Sequence, residues 1–376
     1  MYLIKNIDIY NPNYIGKKDI LFSKKIEAIE DEISIELQGL KIIDGSGKKL
    51  LPGFIDNHVH ITGGGGEGSF KTRVPESMLG DFTSCGITTV GALLGTDGTT
   101  RSVENLIAKA KALKEEGLSV FCYTGSYEIP TVTLTGSIKK DIIFIDEVIG
   151  VKIAMSDHRS SMLTKNEFAR VSSEARVAGM LSGKSGSVCI HMGDHENGLE
   201  FLLELIAESA LPIKIFRPTH VSRNEKLFDD AIKFAKLGGY IDITAGNNPI
   251  ESVVKTIENG VDQSLITISS DGFGSYSDYD EKGELIKIGV QSVDVLYSTF
   301  KKLVNDASLD VQDALKYFTT NPANALGISK HKGYINIDKD SDLIIVDKSL
   351  NINYVFANGK MHVENSKQII FGTYEK

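Results

Sequence analysis

Hydrophobic and polar positions change rhythm twice along this chain. Over residues 1–50, the runs YLIKNIDIY, IGKKDILFS, KKIEAIEDEI and LKIIDGSGKKLL are broken by Gly and Asn. Short runs with a period near two, punctuated this way, predict short strands joined by turns. The tail from about residue 331 repeats the pattern in KGYINI, DSDLIIVD and INYVFANGKMHVE. There Asn358-Gly359, between two alternating runs, predicts a two-residue hairpin. Neither end is long enough for a core of its own, so residues 1–50 and 331–376 are expected to pair as one small β-sandwich.

The middle, residues 51–330, alternates β-branched apolar runs with helical periodicity such as SVENLIAKAKALKEEG, GLEFLLELIAES and EKLFDDAIKFAKLGG. Eight candidate strands fall at 52–59, 86–93, 118–124, 148–155, 187–191, 213–220, 239–244 and 265–270. Strands alternating with helices build parallel βαβ units. Eight of them over this length predict a closed (β/α)8 barrel of the TIM type, which takes about 250 residues. The expected class is therefore α/β, a barrel carrying a small β-sandwich made from both chain ends.

Composition narrows the function. Of 376 residues, 41% are hydrophobic and 24% charged, which is globular and excludes disorder. A net charge of −9 leaves no basic footprint for nucleic acid or anionic lipid. The three cysteines, Cys85, Cys122 and Cys189, fit neither a disulfide framework nor a CxxC metal site and read as buried thiols. MYLIKNIDIYNPN at the start lacks the basic-then-apolar order of a signal peptide. No apolar run reaches membrane-spanning length. A soluble, reduced, cytoplasmic protein is expected.

Candidate chemistry gathers at strand ends. His58-Val59-His60 closes the first barrel strand. Alternate side chains of a strand share a face, so both imidazoles point the same way and could chelate a metal such as zinc. Alone, HxH is a weak motif. Lys152 lies within IGVKIAM on the fourth strand. A bare ammonium there is expensive to bury, so it either points outward or meets a carboxylate. His191 ends the fifth strand, His220 the sixth, and Asp271 follows the eighth. Active sites of such barrels sit at the C-terminal ends of the strands. Four histidines and an aspartate converging on that rim point to a metal centre rather than to packing. His158, His195, His331 and His362 fall on loops or in the terminal segments and receive no ligand role. The run GGGGEG at 63–68 lacks the Lys-Ser/Thr of a phosphate loop and reads as a mobile or close-approach loop over the metal site.

These residues resemble the amidohydrolase superfamily, through PGFIDNHVH, Lys152, His191, His220, Asp271, NPANALG at 321–327 and KGYINIDKDSDLIIVD at 332–347. Within it, the chain is similar to the isoaspartyl (β-aspartyl) dipeptidases. GGGGEGSF, LLGTDGTTR, YTGSYEIPTVTLTGS, KIAMSDHRSS, HMGDHENGL, THVSRNEKLF and SSDGFGS carry that closer likeness. The resemblance implies two zinc ions: His58, His60 and Asp271 bind one, and His191 and His220 bind the other. It implies that Lys152 bridges them as a carbamate formed with carbon dioxide. It also implies a metal-bridging hydroxide as nucleophile, Asp271 as general base and then acid, and Tyr127 as donor to the oxyanion. By the same likeness, Glu67 meets the substrate ammonium, Arg223 its α-carboxylate and Arg159 the carboxylate of the leaving residue. Gly65, Thr96 and Ser275 complete the substrate contacts. A small dipeptide substrate and a homo-oligomer follow from the likeness. The competing readings are another amidohydrolase, either dihydroorotase- or hydantoinase-like or an N-acyl-amino-acid deacylase, and a metal-free scaffold. Retention of all six ligands counts against the scaffold.

Overall fold

The computed structural model describes residues 1–280, 282 and 284–375. Five strands come first: β1 (Tyr2–Asn11), β2 (Asn13–Phe22), β3 (Ile26–Glu30), β4 (Lys41–Asp44) and β5 (Lys49–Pro52). The eight apolar runs of the middle then form β6 (Phe54–Val59), β7 (Ile87–Ala92), β8 (Ser119–Thr124), β9 (Val148–Met155), β10 (Ser187–Met192), β11 (Phe216–Thr219), β12 (Ile241–Thr244) and β13 (Ile266–Ser269). They pair in parallel, in sequence order, as one eight-stranded sheet. One helix follows each strand: α1 (Leu79–Thr83), α2 (Val103–Glu116), α3 (Ile138–Phe144), α4 (Lys165–Ser182), α5 (Glu200–Glu208), α6 (Glu225–Lys236), α7 (Pro249–Glu258) and α8 (Val295–Asn305).

The ring closes between β6 and β13 with few backbone bonds. Val59 bridges Gly272 in parallel, and the His60 amide donates to the Gly272 carbonyl at 2.9 Å. The Asp56 carboxylate accepts from both the amide and the hydroxyl of Ser270. Several strands are shorter than the sequence suggests: residues 213–215 and 263–265 form single 3-10 turns leading into β11 and β13, the run 52–59 is split at Gly53 between β5 and β6, and β12 begins only at Ile241.

Buried side chains on both faces of these strands explain their continuous apolar runs. Inside the barrel, Ile55, Leu93, Tyr123, Ile149 and Cys189 pack together with Ala323, Leu326 and Ile328. The latter three lie in or just after α10 (Thr320–Ala325), which follows α9 (Val311–Lys316). Asn321 donates to the carbonyls of Gln263 and Ile266 at 2.7 Å each. The NPANALG segment is thus a plug at the N-terminal end of the strands, opposite the candidate chemistry. A hairpin of β14 (Ser275–Tyr279) and β15 (Leu285–Val290) is inserted between β13 and α8, and no sequence pattern announced it.

The chain ends meet in one nine-stranded sheet that includes β16 (Leu343–Val346), β17 (Ile352–Ala357), β18 (Lys360–Glu364) and β19 (Lys367–Gln368). Antiparallel pairing of β5 with β16 joins the two halves. In a flat sheet β2 and β17, four places apart, would be about 19 Å away from each other. Yet the rings of Phe22 and Phe356 lie 5.0 Å apart, so this single sheet folds over on itself around one core. Ala357 pairs with Lys360 across Asn358 and Gly359, both at positive φ (48° and 75°), the two-residue turn that Asn-Gly favours. No helix among the described residues is long and apolar enough to cross a membrane.

Candidate metal centre and active site

The six candidate ligands lie at the C-terminal mouth of the barrel. His58 is on β6 and His60 just beyond it, Lys152 is on β9, His191 on β10, His220 directly after β11, and Asp271 two residues after β13. His220 and Asp271 adopt positive φ, 61° and 56°, a conformation that costs a non-glycine residue energy and clusters at functional sites. Gly274 makes the Asp271 turn possible. A Cβ there would sit 2.8 Å from the Asp271 carbonyl and carboxylate oxygens.

One ligand atom each from His58, His60 and Asp271 lies within 4.8 Å of the others. The rings continue as a chain, with centroids 4.9 Å apart for His58 and His220 and 4.8 Å for His220 and His191. Lys152 is fully buried, its Nζ 3.3 Å from His58 Nε2 and 3.9 Å from the Cys189 thiol. No carboxylate forms an ion pair with it among the described residues, so neither ordinary fate of a strand lysine, outward or paired, applies. His60 Nδ1 is buried without a hydrogen-bond partner, and Asp271 Oδ1 faces the imidazole edges of His60 and His58 at 3.2 and 3.5 Å. Imidazoles and a carboxylate turned onto one another beside a buried lysine make the donor set of a divalent-cation site.

Electrostatics agree. Burial, with Lys152 next, holds His58 well below its ordinary pKa. Burial does the same to His191 and His220, so all three are neutral imidazoles with lone pairs to give. Burial also lowers Lys152, favouring the free amine. Burial pushes Asp271 up; against that, the His60 Nε2 at 3.2 Å and whatever charge His220 and Lys152 carry bring it to about 2. Burial raises the Tyr127 phenol, which stays protonated.

Two neighbours orient these ligands. His191 Nε2 lies 2.8 Å from Asp157 Oδ2, and the Tyr127 hydroxyl contacts Nδ1. Burial alone would raise Asp157, but His191 and Arg159 hold it far below the usual range. A carboxylate beyond a histidine fixes its tautomer, and the other nitrogen, Nδ1, is met here by the Tyr127 hydroxyl, which a cation there would displace. Thr244 Oγ1 holds His220 Nδ1 at 2.7 Å. Sequence reasoning missed both residues. Asp157 stands two positions past β9, the one acid in SDHRSS, and a search for acids just beyond the ligand strands would have found it.

A cavity of about 30 Å³ sits over the centre, lined by Gly65, Glu67, Thr96, Tyr127, Arg159, Arg223 and Ser275 among others. Every residue expected to touch substrate is therefore gathered there. Their bonding differs from a simple inventory of contacts. The hydroxyls of Ser275 (3.0 and 3.1 Å) and Thr96 (3.3 Å) donate to Glu67, whose side chain is 8% exposed. Arg159 gives Nε and Nη2 to Asp157 at 3.0 and 2.7 Å, and Nη1 faces Glu67 at 3.4 Å. Its bidentate edge is thus occupied by Asp157, and its remaining nitrogen is paired with Glu67. Arg223 reaches the pocket from just before α6, whose N-cap Asn224 accepts from the Leu227 amide at 2.9 Å.

The glycine-rich loop is tied to its neighbours by hydrogen bonds. Gly65 bridges Arg73, and Arg101 donates to the carbonyls of Thr62, Gly64 and Val74. At Gly65, φ is 76° and a Cβ would lie 2.5 Å from the Thr72 carbonyl, so close approach accounts for the glycine. Of the histidines given no role, His158 and His195 line a second, larger cavity next door. His362 is buried with neither ring nitrogen bonded.

Comparison with known proteins accords with this geometry. The chain is 44% identical to β-aspartyl dipeptidase from the thermophilic, keratin-degrading Fervidobacterium islandicum AW-1, solved in complex with β-Asp-Leu. The match covers 98% of each chain with a TM-score of 0.93. A dihydroorotase from Elusimicrobium minutum is 22% identical over 95% of this chain and 90% of its own. A D-hydantoinase, 16% identical with a TM-score of 0.69, shares the fold. The sequence signature of the Amidohydrolase family matches residues 50–362, and with the mouth of the barrel built as described, the chain belongs to that family of hydrolases.

Proposed function

We propose that this hydrolase cleaves the β-aspartyl (isoaspartyl) peptide bond of dipeptides. The observation that carries the reading is Glu67, a carboxylate held by Ser275 and Thr96 beside the His/Lys/Asp cluster, with Arg223 at the same pocket. A β-linked aspartyl dipeptide presents an ammonium and two carboxylates, and this pocket offers one acid and two guanidinium groups. The relative solved with β-Asp-Leu supports the same substrate class.

Two divalent cations, zinc by resemblance, would be held by His58, His60 and Asp271 and by His191 and His220, with Lys152 as a carbamate between them. The chemistry supplied by such a pair is polarisation of the scissile carbonyl and acidification of the attacking water. The protein's own groups do the rest. Asp271, ionised, accepts the proton of the water and hands it to the leaving nitrogen. The Tyr127 hydroxyl donates to the oxyanion. Glu67 binds the ammonium, Arg223 the α-carboxylate of the aspartyl part, and Arg159 the carboxylate of the released residue. The Gly65 backbone borders the substrate, and Thr96 and Ser275 act mainly by fixing Glu67.

The second reading is a cyclic-amide hydrolase, favoured by the dihydroorotase relative. A ring substrate offers no ammonium and leaves Glu67 without a use. A hydrolysis panel of β-Asp-Leu, α-Asp-Leu and dihydroorotate separates the two. Cleavage of β-Asp-Leu alone is expected, and turnover of dihydroorotate in its place would reverse the assignment. Glu67→Gln is expected to lower kcat/KM on β-Asp-Leu about 100-fold, the scale of losing one partner of a buried charge pair, with metal content unchanged by elemental analysis. Undiminished kcat/KM removes Glu67 from ammonium binding.

A further inference from the structure

Asp242 interrupts an apolar strand. It stands on β12 between Ile241 and Ile243 and is buried with them. A buried carboxyl group costs stability unless polar partners surround it. Three hydroxyls do so here. Thr219 on β11 and Ser269 on β13 donate to Oδ2 at 2.7 and 2.6 Å, and Thr267 on β13 donates to Oδ1 at 2.6 Å. Thr219, Asp242 and Thr267 are direct partners across the three strands, and Ser269, two places beyond Thr267, shares its face. All four side chains are buried. Asp242 does not line the pocket over the centre, and the proposed chemistry gives it no step.

We infer that Asp242 is a positioning residue, whose hydroxyl-bonded carboxyl group sets where His220 stands at the mouth of the barrel. The inference rests on the metal-centre reading of that mouth and adds what holds it in shape. His220 has φ of 61°, a left-handed conformation that a non-glycine residue keeps only where its surroundings over-determine it. Both of its chain neighbours are tied to Asp242. The Thr219 hydroxyl donates to the Asp242 side chain, and the Val221 amide donates to the Asp242 carbonyl at 3.4 Å. Thr244, two places beyond Asp242 on the same face of β12, holds the His220 ring at Nδ1, 2.7 Å away. One strand therefore fixes both the ring and the backbone beneath it. Ser269 extends the brace toward Asp271, but Asp56 also holds that strand end through Ser270. Loss of Asp242 should therefore fall harder on His220.

The test is zinc affinity, measured on the full chain by competition with a chelating indicator, beside kcat and KM on β-Asp-Leu. Removing a group that orients a metal ligand lowers affinity about 10–100-fold. Asp242→Asn leaves one carbonyl oxygen for three hydroxyls. It should lose at least about tenfold in zinc affinity and lower kcat, with KM moving less than about threefold. Thr219→Val keeps the β-branched shape and removes the hydroxyl beside His220. A loss of about tenfold in affinity is expected, and Thr219→Ser, which returns the hydroxyl, should restore most of it. Thr267→Val breaks an equal bond away from any ligand, so it should lower the melting temperature while costing less than about threefold in affinity. Melting of the metal-free variants shows that each is folded, and the Thr219 pair decides should Asp242→Asn fold poorly. Affinity within about twofold of wild type in the folded Asp242 and Thr219 variants, with only the melting temperature lowered, overturns the positioning role. A wild-type chain that binds no zinc overturns the metal-centre reading, and the inference with it. One that binds zinc but leaves β-Asp-Leu intact overturns the dipeptidase reading alone.

Discussion

Asp271→Asn is expected to lower kcat on β-Asp-Leu by at least roughly 1,000-fold, within the range that a general acid–base group contributes. The proposed mechanism gives the residue two duties. It lies with His58 and His60 in a candidate ligand cluster, and on that reading its carboxylate would accept the proton of the attacking water. An amide keeps the shape and one ligating oxygen but cannot carry that proton to the leaving nitrogen. The loss should therefore appear in kcat far more than in KM, with binding of an uncleaved analogue retained. Steady-state kinetics beside calorimetric binding separate the two. Equal losses in both would mean that the carboxylate only assembles the site.

Lys152→Ala should be comparably damaging, by a different route. The native side chain is fully buried, 3.3 Å from His58 Nε2, and burial lowers the pKa of its ammonium. On the proposed reading the amine captures carbon dioxide, and the carbamate would supply the negative charge that two cations there require. With Ala at 152, elemental analysis should find fewer than the ~2 ions per chain of a binuclear site, and activity should fall at least about 100-fold. Bicarbonate with a short carboxylic acid should restore part of it, by placing a free carboxylate where the side chain ended. Full activity of the variant without additive would exclude a bridging role for Lys152.

Much of this was legible in the sequence because two physical signals coincided. A strand buried on both faces has to be a continuous apolar run, so β6 to β13 stood out, and a polar residue interrupting such a run, as Lys152 does, has to be accounted for. The candidate ligands followed from strand ends, and the fold brings them to one mouth of the barrel. What escaped notice has equally plain causes. Asp157 lies on a loop in an ordinary polar stretch, and only the fold brings it to His191. β14 and β15 contact mainly each other and carry no core periodicity. Thr96 and Ser275 looked like substrate contacts, yet their hydroxyls are spent on Glu67, a pairing set by three separate loops. The terminal segments read as strands that would pair, but not as a single sheet folded over, since that depends on β5 meeting β16.

That last pairing bears on how the chain is born. β5 leaves the ribosome early, and β16 follows roughly 290 residues later, a delay of about 15–60 s at ~5–20 residues per second. Throughout that interval the edge of β5 that β16 covers in the folded protein stays open. Overproduction at high temperature should therefore fill inclusion bodies, and slower synthesis in the cold should recover the protein.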